Sequence, residues 1–161
     1  MFELKRTTLD DKPALYAELV LQAQGLLHGE RDLIANAANF SALLYYSLPD
    51  VNWAGFYFLK DGELVVGPFQ GKPACVRIAL GKGVCGKVAE QRTSIVVPDV
   101  NQFPGHIFCD GASRSEIAVP LVKNGKMLGV LDIDSPRLAR FDQTDRAGME
   151  KLAEIFLAAM R

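Results

Sequence analysis

No C-x-x-C pair occurs in this chain, and it has only two histidines, His28 and His106. Structural zinc sites draw on closely spaced ligand pairs, so no metal site is expected. Cysteine is scarce and odd in number, with three, whereas a secreted domain stapled by disulfides carries an even, denser set. Neither charge sign is in excess: 18 Lys plus Arg face 19 Asp plus Glu, for a net charge of −1. That balance lacks the basic footprint of a nucleic-acid or anionic-membrane binder. No apolar run nears the roughly 18 residues of a spanning helix, and the start, Met-Phe-Glu-Leu-Lys-Arg, lacks a signal-peptide pattern. Repeats, linkers and low-complexity tracts are absent too. The expectation is one domain over residues 1–161 in the cytoplasm, with thiols that pair only in catalysis or redox sensing.

What is present reads as helices at both ends of a β-rich middle. Thr8-x-x-Asp11 resembles a capping box ahead of Leu15, Leu19 and Leu26, and a second helix is predicted from about Arg31 to Ser47, closed by Pro49. Asn52 to Leu59 is an aromatic strand, Asp61-Gly62 a hairpin turn, and Glu63 to Val66 the return. Cys75 to Leu80 is predicted as a third strand, Val84 to Gln91 as a short helix, and Ser94 to Pro98 as a fourth strand. Asp99 to Arg114 has no period but carries Phe103, Ile107 and Phe108, which suits an ordered functional loop. Glu116 to Val122 and Lys126 to Asp134 form a hairpin about Asn124-Gly125, and a last helix runs from Phe141 to Met160, capped by Asp142 or Thr144. Pro120 cannot donate to a ladder, so its strand is at an edge or bulged there. The fold class is α+β, helices around an antiparallel meander.

Three clusters carry chemistry. Cys109 sits in a loop punctuated by proline and glycine, where a merely structural cysteine would be out of place. In Met127–Asp134, alternation puts Asp132 and Asp134 on one face at the strand end. Hairpin pairing about Asn124-Gly125 sets Glu116 opposite residues 133–134, so three carboxylates converge with no Lys or Arg placed to neutralise them within the strands, although Arg114 is nearby. They either cap a neighbouring turn or form an acidic pocket for a cationic group, in which one could keep its proton near neutral pH. Trp53 shares a face with Gly55, Tyr57 and Leu59, either as core or as a pocket wall in which Gly55 leaves room for a ligand. The turn Gly81-Lys82-Gly83-Val84-Cys85-Gly86 fits no phosphate-loop pattern but offers N–H groups to a small anion such as a carboxylate, with Cys85 beside the substrate or simply packed.

Several segments together resemble the free methionine-(R)-sulfoxide reductases, stand-alone enzymes of the GAF fold. They are Asn52-Trp53-Ala54-Gly55-Phe56-Tyr57, Gly67 to Cys75, Gly81 to Gly86, Phe103 to Asp110, Ser115 to Pro120 and Gly129 to Ser135. The resemblance implies a six-stranded antiparallel sheet flanked by helices, in a homodimer. It makes Cys109 the catalytic cysteine, Cys75 the resolving one and Cys85 a third thiol at the substrate. It places Glu116, Asp132 and Asp134 on the substrate, with Trp53 and Tyr57 as pocket aromatics. A Cys109 sulfenic acid and a Cys75–Cys109 disulfide, reset by thioredoxin without metal or organic cofactor, are likewise implied. With Cys75 on a strand, the 99–114 loop is expected to move as a lid. The alternative is a non-catalytic GAF module for ligand binding or redox sensing, a type expected to be joined to output domains.

Overall fold

The computed structural model describes residues 2–4, 9–107 and 109–160. Helices α1 (Lys12–Leu26) and α2 (Leu33–Ser47) lead into strands β1 (Trp53–Lys60), β2 (Glu63–Gly71) and β3 (Arg77–Ala79). Helix α3 (Gly83–Gln91) and strand β4 (Ile95–Val97) follow, then the hairpin β5 (Ser115–Lys123) and β6 (Lys126–Ser135), and finally α4 (Gln143–Ala159). Helix starts follow local chemistry: the carboxylates of Asp11, Asp32 and Asp142 accept from backbone N–H groups of the first turns of α1, α2 and α4. Thr8, the other half of the expected capping box, lies outside the described residues. Among the described residues no helix is long and apolar enough to cross a membrane.

The sheet order is β3-β2-β1-β6-β5-β4, antiparallel throughout. This corrects the single meander: two three-stranded meanders join where β1 pairs with β6, and α3 lies in the connection between the two sheet edges. Both hairpin turns are as expected, with φ of +51° and +81° at Asp61-Gly62 and +53° and +74° at Asn124-Gly125. Pro120 meets the edge condition. β4 pairs only with Glu116–Ala118, leaving the outer side of Pro120 as edge, and the ladder shifts register just beyond, between Leu121 and Val122.

Alternation along the central strands divides two cores. Phe56, Leu131, Ile133 and Ile117 face α1, α2 and α4, where Phe40, Phe56 and Phe156 pack with ring centroids 4.5–6.0 Å apart. Trp53, Tyr57, Val130 and Ala118 face α3 and its Val84, Cys85 and Val88. The carboxyl-bearing positions share this second face.

The third strand is shorter than expected, so Cys75 precedes it and lies in irregular backbone rather than on a strand. The joint between the meanders is tight. A Cβ on Gly129 of β6 would overlap the Tyr57 carbonyl oxygen and lie 3.0 Å from the Phe58 Cα, neither of which can swing away. Gly129→Ala is therefore expected to cost about 1–3 kcal/mol, read as a lower urea midpoint at unchanged m-value. A midpoint equal to that of the unsubstituted protein would mean that β1 and β6 are not so closely apposed.

Candidate active site

Six elements deliver side chains to one small cavity. β1 supplies Trp53 and Tyr57, β5 Glu116, β6 Asp132 and Asp134, and α3 Cys85. The 72–76 segment brings Lys72, Pro73 and Ala74, with Cys75 behind them bonded to Cys109, and the 99–114 segment brings His106, Cys109, Asp110 and Ser113. The hairpin register carries the design: Glu116 pairs with Asp134, and Ala118 with Asp132. β1 completes it, with Trp53 opposite Asp134 and Gly55 opposite Asp132. The expected convergence of three carboxyls is thus present at the sheet centre.

Their environment is dry. Glu116 and Asp132 are each 5% exposed, and Oδ1 of both Asp132 and Asp134 is buried without a hydrogen-bond partner. Burial, reinforced by the charge of Asp134, pushes the Glu116 pKa up to about 8. Burial also raises Asp132, with Glu116 as the next cause, and Asp134, with Asp132 as the next. The Cys85 thiol is pushed up by burial and then by the neighbouring carboxylates; its Sγ stands 3.9 Å from Glu116 Oε1. His106 Nε2 lies 3.4 Å from Glu116 Oε2, close enough for an ion pair. Burial lowers the His106 pKa while that of Glu116 rises, so we read this as a contact between neutral groups.

The aromatics do more than wall the pocket. Trp53 stacks on Tyr57 and on Phe69, with centroids 5.8 and 5.1 Å away. Its Nε1 donates to the Lys72 carbonyl, while the Tyr57 hydroxyl donates to the Cys75 carbonyl. Two rigid rings thereby hold the segment that carries one redox cysteine. The space beside Gly55, expected to admit a ligand, is filled by Phe69, whose Cβ would overlap a Cβ on Gly55.

Cys75 and Cys109 form a disulfide with Cα atoms 5.6 Å apart. Asn52, at the foot of β1, secures the second loop: its Nδ2 donates to Asp110 Oδ2 and to Ser113 Oγ, each at 3.1 Å, while its N–H donates to the Asp134 carbonyl. Asn52, His106, Asp110 and Ser113 were not singled out as site residues from the sequence, since they converge only through long-range contacts. Cys85 is packed in the second core and lines the cavity, which joins its two sequence readings. No side chain caps α3 at Lys82, and Gly83 and Val84 face the cavity. A set that sequence spacing could not reveal also appears: ligand atoms of Cys85, Glu116 and Asp132 lie within 4.8 Å of one another. The cavity itself measures about 40 Å³, room for only a few waters.

Raised carboxyl pKa values make stability depend on pH with a definite sign. The native protein keeps protons that the unfolded chain releases, so stability is full below the ordinary carboxyl range and falls as pH climbs through about 8. Each retained proton carries about 1.4 kcal/mol per pH unit. Glu116→Gln, which cannot ionise, is expected to flatten this decline in urea unfolding followed between about pH 5 and pH 8. An unchanged pH slope in that variant would contradict the protonated state assigned to Glu116.

Residues 13–160 match the GAF domain family. The free methionine-R-sulfoxide reductase of Escherichia coli is 50% identical over 142 residues, covering 88% of this chain and 86% of that protein. Its namesake in Saccharomyces cerevisiae is 44% identical over 153 residues, covering 90% and 85%. The X-ray structure of free methionine-R-sulfoxide reductase from Neisseria meningitidis in complex with its substrate superposes with a TM-score of 0.94 at 43% identity, covering 99% of this chain and 95% of that one. With its whole folded body matched and its paired thiols set over a buried acidic floor, the chain belongs to the GAF domain family, among the free methionine-R-sulfoxide reductases.

Proposed function

We propose that the protein reduces free L-methionine-(R)-sulfoxide to methionine by thiol chemistry. The observation that carries this reading is the Cys75–Cys109 disulfide lying at the same cavity as Glu116, Asp132 and Asp134, with which, among the described residues, no Lys or Arg forms an ion pair. Glu116, Asp132 and Asp134 receive the substrate ammonium, and the uncapped start of α3 receives its carboxylate. Trp53 and Tyr57 flank the sulfoxide, and Cys85 forms part of the floor. The Cys109 thiolate attacks the sulfoxide sulfur while a protonated carboxyl supplies the proton that the departing oxygen requires. The protonated oxygen then passes from the substrate sulfur to Cys109 Sγ as the transient bond between the two sulfurs breaks, releasing methionine and leaving Cys109 as a sulfenic acid. The Cys75 thiol displaces it as water, forming the disulfide, and two electrons from a dithiol such as thioredoxin restore both thiols. The reaction suits a reducing compartment such as the cytoplasm, and a homodimer is the proposed assembly.

A cavity with room for a few waters does not admit an amino acid with a side-chain sulfoxide, so the disulfide form is closed and the substrate enters the reduced form. Apart from a 3-10 turn at Val100–Gln102, the described residues of both cysteine-bearing segments lie outside helices and strands, so both can withdraw once the disulfide opens and their bonds to Asn52, Trp53 and Tyr57 release, rather than the 99–114 loop alone. Hydrogen exchange is expected to be faster in residues 72–76 and 99–114 of the reduced protein than of the disulfide form. Equal protection in the two forms would remove the opening step.

Purified protein given racemic free methionine sulfoxide and dithiothreitol is expected to consume the R-epimer alone and to leave N-acetylated substrate untouched. Binding without turnover would favour a sensing module instead. Cys109→Ser is expected to abolish the chemical step, whereas Cys75→Ser releases about one methionine per chain and then stalls with thioredoxin as reductant. Loss of that first turnover in Cys75→Ser would contradict its resolving role. Asp132→Asn, Asp134→Asn and Glu116→Gln should each lower kcat/KM by about 10- to 100-fold, the size of one charge-assisted hydrogen bond. Values within twofold of the unsubstituted protein for all three would return these acids to a structural role.

A further inference from the structure

We infer that Cys85, Glu116 and Asp132 form a binding site for a thiophilic divalent cation of the Zn²⁺ type. The three side chains come from α3, β5 and β6, all are buried, and one ligand atom of each lies within 4.8 Å of the others. Cys85 Sγ and Glu116 Oε1 are 3.9 Å apart. Zinc bonds of about 2.3 Å to sulfur and about 2.0–2.2 Å to oxygen set tetrahedral ligand atoms roughly 3.5 Å from one another, so modest side-chain rotation closes the shell. His106 Nε2 contacts the other Glu116 oxygen at 3.4 Å but lies outside this three-residue group, so the fourth position is left to a water.

Two observations favour a cation over simple packing. Asp132 Oδ1 is buried and has no hydrogen-bond partner, an acceptor left open at the cavity. Among the described residues, no Lys or Arg forms an ion pair with Glu116, Asp132 or Asp134. The donor set of one sulfur and two carboxylates suits zinc and its neighbours rather than magnesium or calcium, which prefer six or more oxygens. On binding, the Cys85 S–H and any carboxyl protons pass to solvent as the metal bonds form, and nothing is oxidised or reduced. Metal binding does not rest on the reductase reading. Its consequence does: the ion occupies the place assigned to the substrate ammonium, so zinc and free amino acid exclude one another.

The disulfide form gives a clean test, because Cys85 is its only free thiol. Titration of that form with Co²⁺ is expected to reach one equivalent, to produce a sulfur-to-cobalt charge-transfer band, and to be reversed by Zn²⁺. Cys85→Ser should abolish the band, and Asp132→Asn should weaken binding at least tenfold, the lower end of what even outer-shell partners contribute. If Cys85→Ser does not fold, judged by circular dichroism, Glu116→Gln joins Asp132→Asn as the test, with the same tenfold expectation. No saturation below about 1 mM, a band that survives Cys85→Ser, or affinity unchanged by both carboxyl variants would overturn the site. Since none of these readouts involves turnover, failure here leaves the reductase reading standing, and failure of the reductase assay leaves this site standing.

Discussion

Three carboxyl groups set side by side on a sheet, Glu116 and Asp132 buried and Asp134 half-buried, are the constraint to which the rest of the site answers. Unpaired carboxylates in a dry interior are too costly to persist as charges, so each must hold a proton, meet a cation or accept strong hydrogen bonds. The β5–β6 hairpin creates this situation, and its turn at Asn124-Gly125 fixes the register. A slip of one residue would turn Glu116, Asp132 and Asp134 toward Phe56 and Phe156 and bring Ile117 and Ile133 to the cavity. The apolar core on the opposite face therefore guards the chemistry by penalising every other register.

The two redox cysteines ride on irregular segments, yet both segments are tethered to β1. Trp53 and Tyr57 hold the first through their polar tips, and Asn52 holds the second through Asp110 and Ser113. One strand thus governs both approaches, and stacked rings make it stiff. Such tethering brings the thiols of distant sequence positions within bonding reach, with only a few backbone hydrogen bonds, among them Val66 N–H to the Val76 carbonyl and Arg114 N–H to the Ser135 carbonyl, tying the segments to the sheet. The cavity under the disulfide measures about 40 Å³, small for the site that the three carboxyls border.

Much of this was legible in the sequence where a local rule applied. The hairpin turns, the alternation that sorts Asp132 from Ile133, and the placement of Glu116 against Asp134 all follow from a period of two and a positive-φ dipeptide. Glu116, Asp132, Asp134, Trp53, Tyr57, Cys85 and Cys109 all line one cavity, and Cys75 joins it through its disulfide with Cys109. What escaped was tertiary. Cys75–Leu80 has a strand-like composition, but only Arg77–Ala79 finds a partner in β2. Gly55 marks close approach, and the approaching group proved to be Phe69 rather than a ligand. Joining β1 to β6 links distant positions, and neither periodicity nor propensity reports such a pairing. His106 and Asn52 show no local pattern, because their partners are set by that same long-range closure.

The central claim is that the buried carboxyls keep their protons until an ammonium group arrives to balance the charge. Calorimetric titration of the reduced protein with free methionine, repeated in buffers of different ionisation enthalpy, measures the protons exchanged on binding without any turnover. The account predicts release of about one proton near neutral pH as a carboxyl ionises against the ligand ammonium, and none with an N-acetylated ligand. Binding of free methionine with no net proton release would contradict it.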